Sequence, residues 1–438
     1  MAGLLCFGAR WSHVRFKYAY DRKNAYLCGS QAVTPPVAPS RSMSRGQIRI
    51  VAALALLLAQ AIPAGAQKDV AQHSAKIGAE WLAMVNYKEF YTKLDFQTYS
   101  LEYEWRPLKG NFAAAYNYPT FGVGLSYSTL SNVLFAGAYG RYADMVTAYG
   151  SFSRDLLAWE RLSMGYNFSL GIAYTSEYFN ALTNQDNWFI GAPVLFHVSG
   201  GGHVTLKLTD RFGLEARLTA GHNSNARFAY PNSGLNYMGG GLSAKYTINP
   251  TTVPKKKRTP IPETDFAKGW HYEIYAGGGV HACAAEWLAI SETVDNETLA
   301  ATKLKRWPMA SLSFDAIYRV SGKFACGATA DAFYASNYET LRWADSVILG
   351  EESERGYSPF SGGVGLVQEI FYRNTALYLQ ECIYLYRKMG TSGYHGPMYE
   401  RAGLRFYPPK ISPLFISVCI KAHLLKADYA DIALGVRF

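Results

Sequence analysis

Charge is scarce in this 438-residue chain. Asp, Glu, Lys and Arg together make up 17% of it, where ordinary soluble domains carry about a quarter. Cysteine is scarce as well, with six residues and no C-x-x-C pair, so neither a zinc site nor a thioredoxin-like motif has support. Few windows approach the ~20 apolar residues of a membrane-crossing helix. The 40 glycines follow no collagen period, and an apolar content of 49% excludes a disordered chain. A G-x-S-x-G elbow, the mark of many soluble hydrolases, is also missing. What is abundant is aromatic side chain: 15% of all residues, among them 33 Tyr.

The formal charge of +10 invites a nucleic-acid reading, but its distribution removes that reading. Residues 1–66 hold eight Lys or Arg and one acid, Asp21, so seven of the ten charges lie there. Within this stretch Arg45 and Arg49 form a positive n-region, Ile50 to Ala61 an apolar h-region, and Ala64-Gly65-Ala66 an A-x-A cleavage site. These are the three parts of a secretory signal peptide, expected over 43–66, with Met43 as the working initiator and 1–42 an over-extended start. The remaining chain is close to neutral, and no nucleic-acid partner is expected. Cys283, Cys326, Cys382 and Cys419 remain after the signal, widely spaced, and read as small buried or lipid-facing hydrophobes.

Beyond residue 66 the pattern is alternation. From Leu162 to Tyr174 the even positions are Leu, Met, Tyr, Phe, Leu, Ile and Tyr, and the odd ones Ser, Gly, Asn, Ser, Gly and Ala. Period two over such a length predicts a β-strand with one apolar face, longer than the average soluble strand. Similar segments recur at 101–105, 212–220, 238–248, 270–276 and 309–318. Ile432, Leu434, Val436 and Phe438 alternate to a terminal aromatic, which resembles the assembly signal read by the outer-membrane assembly machinery of bacteria. Strands can cross lipid only when closed, because an open edge would leave backbone groups unpaired in hydrocarbon. The expected fold is therefore all-β, an antiparallel transmembrane β-barrel in the bacterial outer membrane, with small residues filling its lumen.

One Pro-rich, basic stretch interrupts the alternation, from Asn249 to Pro262 with Lys255 to Arg258 at its centre. It reads as a loop or linker over 251–268, dividing a module at 67–250 from one at 269–438. Each could supply about eight strands. Either one large barrel or two barrel modules fits.

Polar residues on an apolar face mark the candidate site. Phe212, Leu214, Ala216, Leu218 and Ala220 set an outward parity that continues to His222 and Ser224. Two residues apart on one strand, those side chains point the same way. On the next strand Met238, Leu242, Ala244, Tyr246 and Ile248 set a parity that includes Asn236. Three polar groups thus converge near strand ends where polarity is expensive. The other histidines lack ligand-like spacing, so no metal and no cofactor are expected.

His222-Asn-Ser224-Asn225, followed by Pro231-Asn232-Ser-Gly234-Leu-Asn236, resembles the active-site region of PagL-type lipid A 3-O-deacylases, the acyloxyacyl hydrolase family. The resemblance covers about residues 80–250, and no comparable motif stands in the second half. It implies an esterase acting on lipid A or another outer-leaflet glycolipid, with Ser224 as nucleophile and His222 as general base. Asn225 would help form an oxyanion hole, with Asn232 and Gly234 in support. The family has Glu where this chain has Asn236. A working Ser-His-Asn variant, another acid in its place, or an inactive site all fit that change. Glu215 is a poor substitute because its parity is inward. The competing expectation is a non-catalytic barrel: a porin, a receptor or a structural protein. Nothing in the sequence indicates an oligomeric state.

Overall fold

A computed structural model describes residues 71–85, 88–137, 139–254 and 260–438. The expected signal peptide and start, and the basic run Lys255 to Arg258, lie outside the described residues.

The chain forms two closed eight-stranded antiparallel barrels within one compact unit. The first comprises β1 (Ala71–Met84), β3 (Asp95–Pro107), β4 (Thr120–Ser128), β6 (Met145–Ala158), β7 (Leu162–Thr175), β8 (Val194–Lys207), β9 (Phe212–Ser224) and β10 (Leu235–Thr247). Pairing of β1 with β10 closes it. Two short strands, β2 (Tyr91–Lys93) and β5 (Leu134–Phe135), pair as a ribbon in its loops. The second barrel comprises β11 (Gly269–Ala282), β12 (Arg306–Arg319), β13 (Phe324–Ala335), β14 (Tyr357–Tyr372), β15 (Thr375–Met389), β16 (Met398–Phe406), β17 (Leu414–His423) and β18 (Lys426–Arg437). Here β11 pairs with β18. Of the two expected arrangements, two separate barrels is the one formed.

Alternation explains both. In β7 the side chains of Leu162, Met164, Leu170 and Ile172 face out, while Asn167, Ser169 and Ala173 are buried inside. The same division gives β1 an outward Ile77 and Trp81 against an inward Lys76, and β18 an outward Ile432 and Leu434 against Asp431. A continuous apolar exterior on closed strands of 9–16 residues is the surface a bilayer requires. Cys283, Cys382 and Cys419 are buried and all four cysteines outside residues 1–70 are free.

The lumens differ from the expected lining of small residues. In the first barrel Lys76 Nζ lies 3.0 Å from Glu102, 2.6 Å from Glu104 and 3.4 Å from Glu215, and Arg217 and Lys245 complete the network. In the second, Arg405 binds Glu273, Asp315 and Glu369 at 2.7–2.9 Å. Arg401 binds Asp331 and Asp431 beside it. An eight-stranded barrel is only wide enough to be filled by side chains. Charge is tolerated there because each group meets opposite charges and hydrogen-bond partners at close range.

The two ends of the barrels are unequal. Connections 85–94, 129–144, 176–193 and 225–234 leave one end of the first barrel, and 283–305, 336–356 and 390–397 leave the corresponding end of the second. At the opposite end most turns are short, as at 159–161, 208–211, 320–323 and 373–374. Long loops belong to the extracellular side of outer-membrane barrels and short turns to the periplasmic side. The barrels touch at both ends. At the loop end Ala282 N–H donates to Arg227 O at 2.7 Å, and Trp287 packs on Trp188 and Tyr230. At the turn end Tyr116 Oη donates to Phe371 O at 2.6 Å.

Candidate active site

Strands β9 and β10 run antiparallel with His222 directly opposite Asn236 and Ala220 opposite Met238. Both outward faces are apolar below that point: Leu218, Met238 and Leu242 are exposed on the barrel exterior. At the loop end the polarity changes. His222 Nδ1 and Asn236 Oδ1 are 2.7 Å apart. With the amide oxygen accepting, the ring proton sits on Nδ1 and Nε2 keeps its lone pair.

Ser224, two positions on, is opposite Phe196 of β8 and is 7% exposed. Phe196 stacks on Phe228 of the following loop at 6.1 Å, so the hydroxyl stands beside apolar surface. Among the described residues no hydrogen bond joins Ser224 to His222. The structure therefore brings together the histidine and the asparagine, and leaves the serine on the same face without a bond to the imidazole. Apo catalytic sites are often this loose, tightening when substrate binds.

The loop 225–234 shapes the floor of this corner. Asn225 N–H donates to Asn232 Oδ1 at 3.1 Å, and Asn225 Oδ1 accepts from Ala229 N–H at 3.4 Å. That leaves the Asn225 Nδ2 group buried with no acceptor, a donor one residue from Ser224. Gly234 has φ +73 and lies under the His222 ring. A Cβ there would come within 2.5 Å of His222 Cε1, so only glycine fits both the backbone and the ring.

Glu215, the weighed alternative acid, faces the lumen and is held by Lys76 and Arg217. It cannot reach His222. Among the described residues no group of three His, Cys, Asp or Glu side chains is placed to hold a metal ion.

A second polar chain, missed in the sequence, lies on the inner face. Ser169 Oγ is 3.1 Å from His197 Nε2, and His197 Nδ1 is 2.9 Å from Asn223 Oδ1. Tyr237 Oη stands 3.3 Å from the same imidazole. Asn223 is fully buried, and the chain is enclosed in the lumen away from lipid. It fastens the residue between His222 and Ser224 and so holds β9 in place. Inward parity of His197 and Asn223 was the available signal, but three separate strands supply the partners.

Residues 270–438 match the family model described as acyloxyacyl hydrolase, C-terminal domain (PagL_C). The match lies in the second half, where the sequence shows no comparable motif, and not over the 80–250 stretch on which the resemblance rests. No curated protein matches the chain. Among solved structures, the outer membrane enzyme PagL is 18% identical, aligning over 39% of this chain and 97% of its own, at TM-score 0.27. The toluene transporter TodX of Pseudomonas putida is 10% identical over 84% of this chain and 89% of its own, at TM-score 0.16. CdiB from Acinetobacter baumannii is 8% identical over 84% and 60%, at TM-score 0.16. The barrel architecture rests on the strand pairing itself.

Proposed function

We propose, from the match of residues 270–438 to the family model of the acyloxyacyl hydrolase C-terminal domain, that this chain is an outer-membrane esterase. It removes an ester-linked acyl chain from lipid A or a related glycolipid of the outer leaflet. The observation that carries the proposal is the 2.7 Å contact of His222 with Asn236 on the outer face of the first barrel, two strand positions from Ser224, at the long-loop end. On this reading the ester of an outer-leaflet glycolipid meets the barrel wall at this end, the end with the long loops.

The steps follow from the donors and acceptors present. The acyl chain lies along the apolar exterior formed by Leu218, Met238 and Leu242, where it stays among hydrocarbon. Ser224 Oγ attacks the ester carbonyl while His222 Nε2 takes the hydroxyl proton. Asn225, whose buried Nδ2 has no acceptor, is the proposed donor to the oxyanion that forms, once the loop yields to the substrate. Collapse expels the sugar alkoxide, which receives the proton from His222. Water then repeats the sequence on the acyl-enzyme and releases the fatty acid. Asn236 holds the productive tautomer without supplying charge, so the imidazolium formed at each step is less well stabilised than beside a carboxylate.

A porin reading loses support from lumens crossed by buried arginines and carboxylates. The test is labelling of detergent-solubilised full-length protein with a fluorophosphonate probe. Labelling confined to Ser224, lost in His222→Ala, is expected. Labelling at no serine of the first barrel, under conditions where a control serine esterase reacts, contradicts the proposal.

A further inference from the structure

The loop 225–234 meets the candidate site at both of its ends: Asn225 follows Ser224, and Gly234 lies under the His222 ring. Its later end is held within the first barrel, where Ser233 and Gly234 donate their N–H groups to Trp188 O at 3.2 Å and Phe189 O at 3.0 Å. Its earlier end is built differently. Phe228 N–H donates to Asn225 O at 3.0 Å, closing a four-residue turn whose central residues, Ala226 and Arg227, have φ of +49 and +66. Turns of that hand are ordinarily made from Gly, Asn or Asp. Neither Ala nor Arg takes the left-handed conformation without steric cost, because Cβ crowds the following carbonyl oxygen. Such a turn persists only where its surroundings hold it.

What holds it comes from the second barrel. Ala282 N–H, at the end of β11, donates to Arg227 O at 2.7 Å. Arg227 Nη1 donates to Asp428 Oδ1 of β18 at 3.1 Å, and both residues are buried. Asp428 is itself fixed, accepting from Lys421 Nζ at 2.9 Å through Oδ2 and from His281 Nδ1 at 3.2 Å through its backbone oxygen. Strands β11 and β18 pair to close the second barrel, so both bonds start from its closing seam. Trp287 packs on Tyr230 of the same loop with ring centroids 5.2 Å apart. The turn is thus tied from outside the barrel whose site it serves, by a buried ion pair that leaves an uncompensated charge if either partner is removed.

We propose that the second barrel clamps the active-site loop of the first, and that Arg227 is the positioning residue through which it acts. Among the described residues Arg227 makes no hydrogen bond to His222 or Ser224. It sets the direction in which the chain leaves β9 at Asn225, and with it the placement of Ser224 Oγ and of the Asn225 amide. With the tie cut, Ala226 and Arg227 relax toward ordinary negative φ, the turn opens and the amide loses its aim. The proposal rests on the esterase reading of Ser224 and gives the second barrel a part in that reaction.

The test compares full-length wild type, Arg227→Met, Arg227→Lys, Asp428→Asn and the Arg227→Met/Asp428→Asn double variant in detergent, each normalised to folded barrel by heat-dependent mobility in SDS gels. Two quantities are read: hydrogen exchange of the amides of 225–234, and kcat and KM for release of fatty acid from lipid A. Arg227→Met is expected to speed exchange at Phe228 and Ala229 about 10-fold or more, with the strands of both barrels unchanged. Its kcat is expected to fall about 10–10²-fold, with KM within about twofold of the wild type. Arg227→Lys, which keeps a cation for Asp428, is expected to recover most of the loss, and the double variant to be no worse than the worse single one. Should Arg227→Met fail to fold, Asp428→Asn carries the same expectations from the other side of the pair. Unchanged exchange overturns the clamp whether or not ester is cleaved. Faster exchange with kcat per folded barrel unchanged overturns the part given to Arg227 in the reaction. A wild type that releases no fatty acid, together with faster exchange in Arg227→Met, upholds the clamp and removes the esterase reading.

Discussion

Replacing Asn236 by Asp changes one atom type at the centre of the candidate site and leaves its reach unchanged. The amide oxygen is 2.7 Å from His222 Nδ1, so a carboxylate in its place sits about 4 Å from the centre of an imidazolium. At an effective dielectric constant near 20, two opposite charges at that separation attract by about 4 kcal/mol. The attraction exists only when His222 is protonated, that is, in the transition states for acylation and deacylation. It therefore lowers the barrier rather than tightening ground-state binding, and its full value corresponds to ~10³ in turnover. The site borders headgroups and water on one side, so a gain between about 10-fold and 10³-fold is expected. The assay is release of fatty acid from purified lipid A in mixed micelles, with kcat and KM determined separately for wild type, Asn236→Asp and Asn236→Leu. The gain belongs in kcat, and Asn236→Leu is expected to fall below the wild type. Equal rates for all three would refute the role assigned to this residue.

Two further outcomes follow. Gly234→Ala puts a Cβ within 2.5 Å of His222 Cε1 at a backbone φ of +73, so the ring must shift. Turnover is expected to drop about 10²-fold with heat-dependent mobility in SDS gels retained; unchanged turnover would show that the ring is not held where the mechanism needs it. Arg405→Met leaves Glu273, Asp315 and Glu369 without their shared cation in the second barrel. A loss of at least about 3–5 kcal/mol is expected in urea unfolding from lipid vesicles, and a loss below 1 kcal/mol would mean that the network is not what fills and holds that lumen.

Much of the architecture was legible because lipid enforces a strict rule. Leu162 to Tyr174 alternates without exception, and the outward parity that includes His222 and Asn236 follows from counting along the apolar face. Register, however, is set by pairing between strands, and the 2.7 Å contact depends on it. The lumens were less legible. Glu273, Asp315, Glu369 and Arg405 all occupy inward positions on different strands, and Arg405 lies 132 positions from Glu273. An isolated charged residue in a strand looks like an interruption until closure brings its partner across the barrel. The same holds for Ser169, His197 and Asn223. The family match at 270–438 had no motif to announce it, since the second barrel's polar groups are dispersed over many strands rather than gathered in one turn.

The central claim is that Ser224, on the outer face of the first barrel, cleaves an acyl ester of an outer-leaflet glycolipid. Mass spectra of lipid A from cells expressing either the wild-type chain or Ser224→Ala, at equal amounts of folded barrel, test it most directly. The wild type is expected to shift lipid A to a species lacking one ester-linked acyl chain, and Ser224→Ala to leave lipid A as in cells without the protein. Identical acyl patterns from the two chains would contradict the claim.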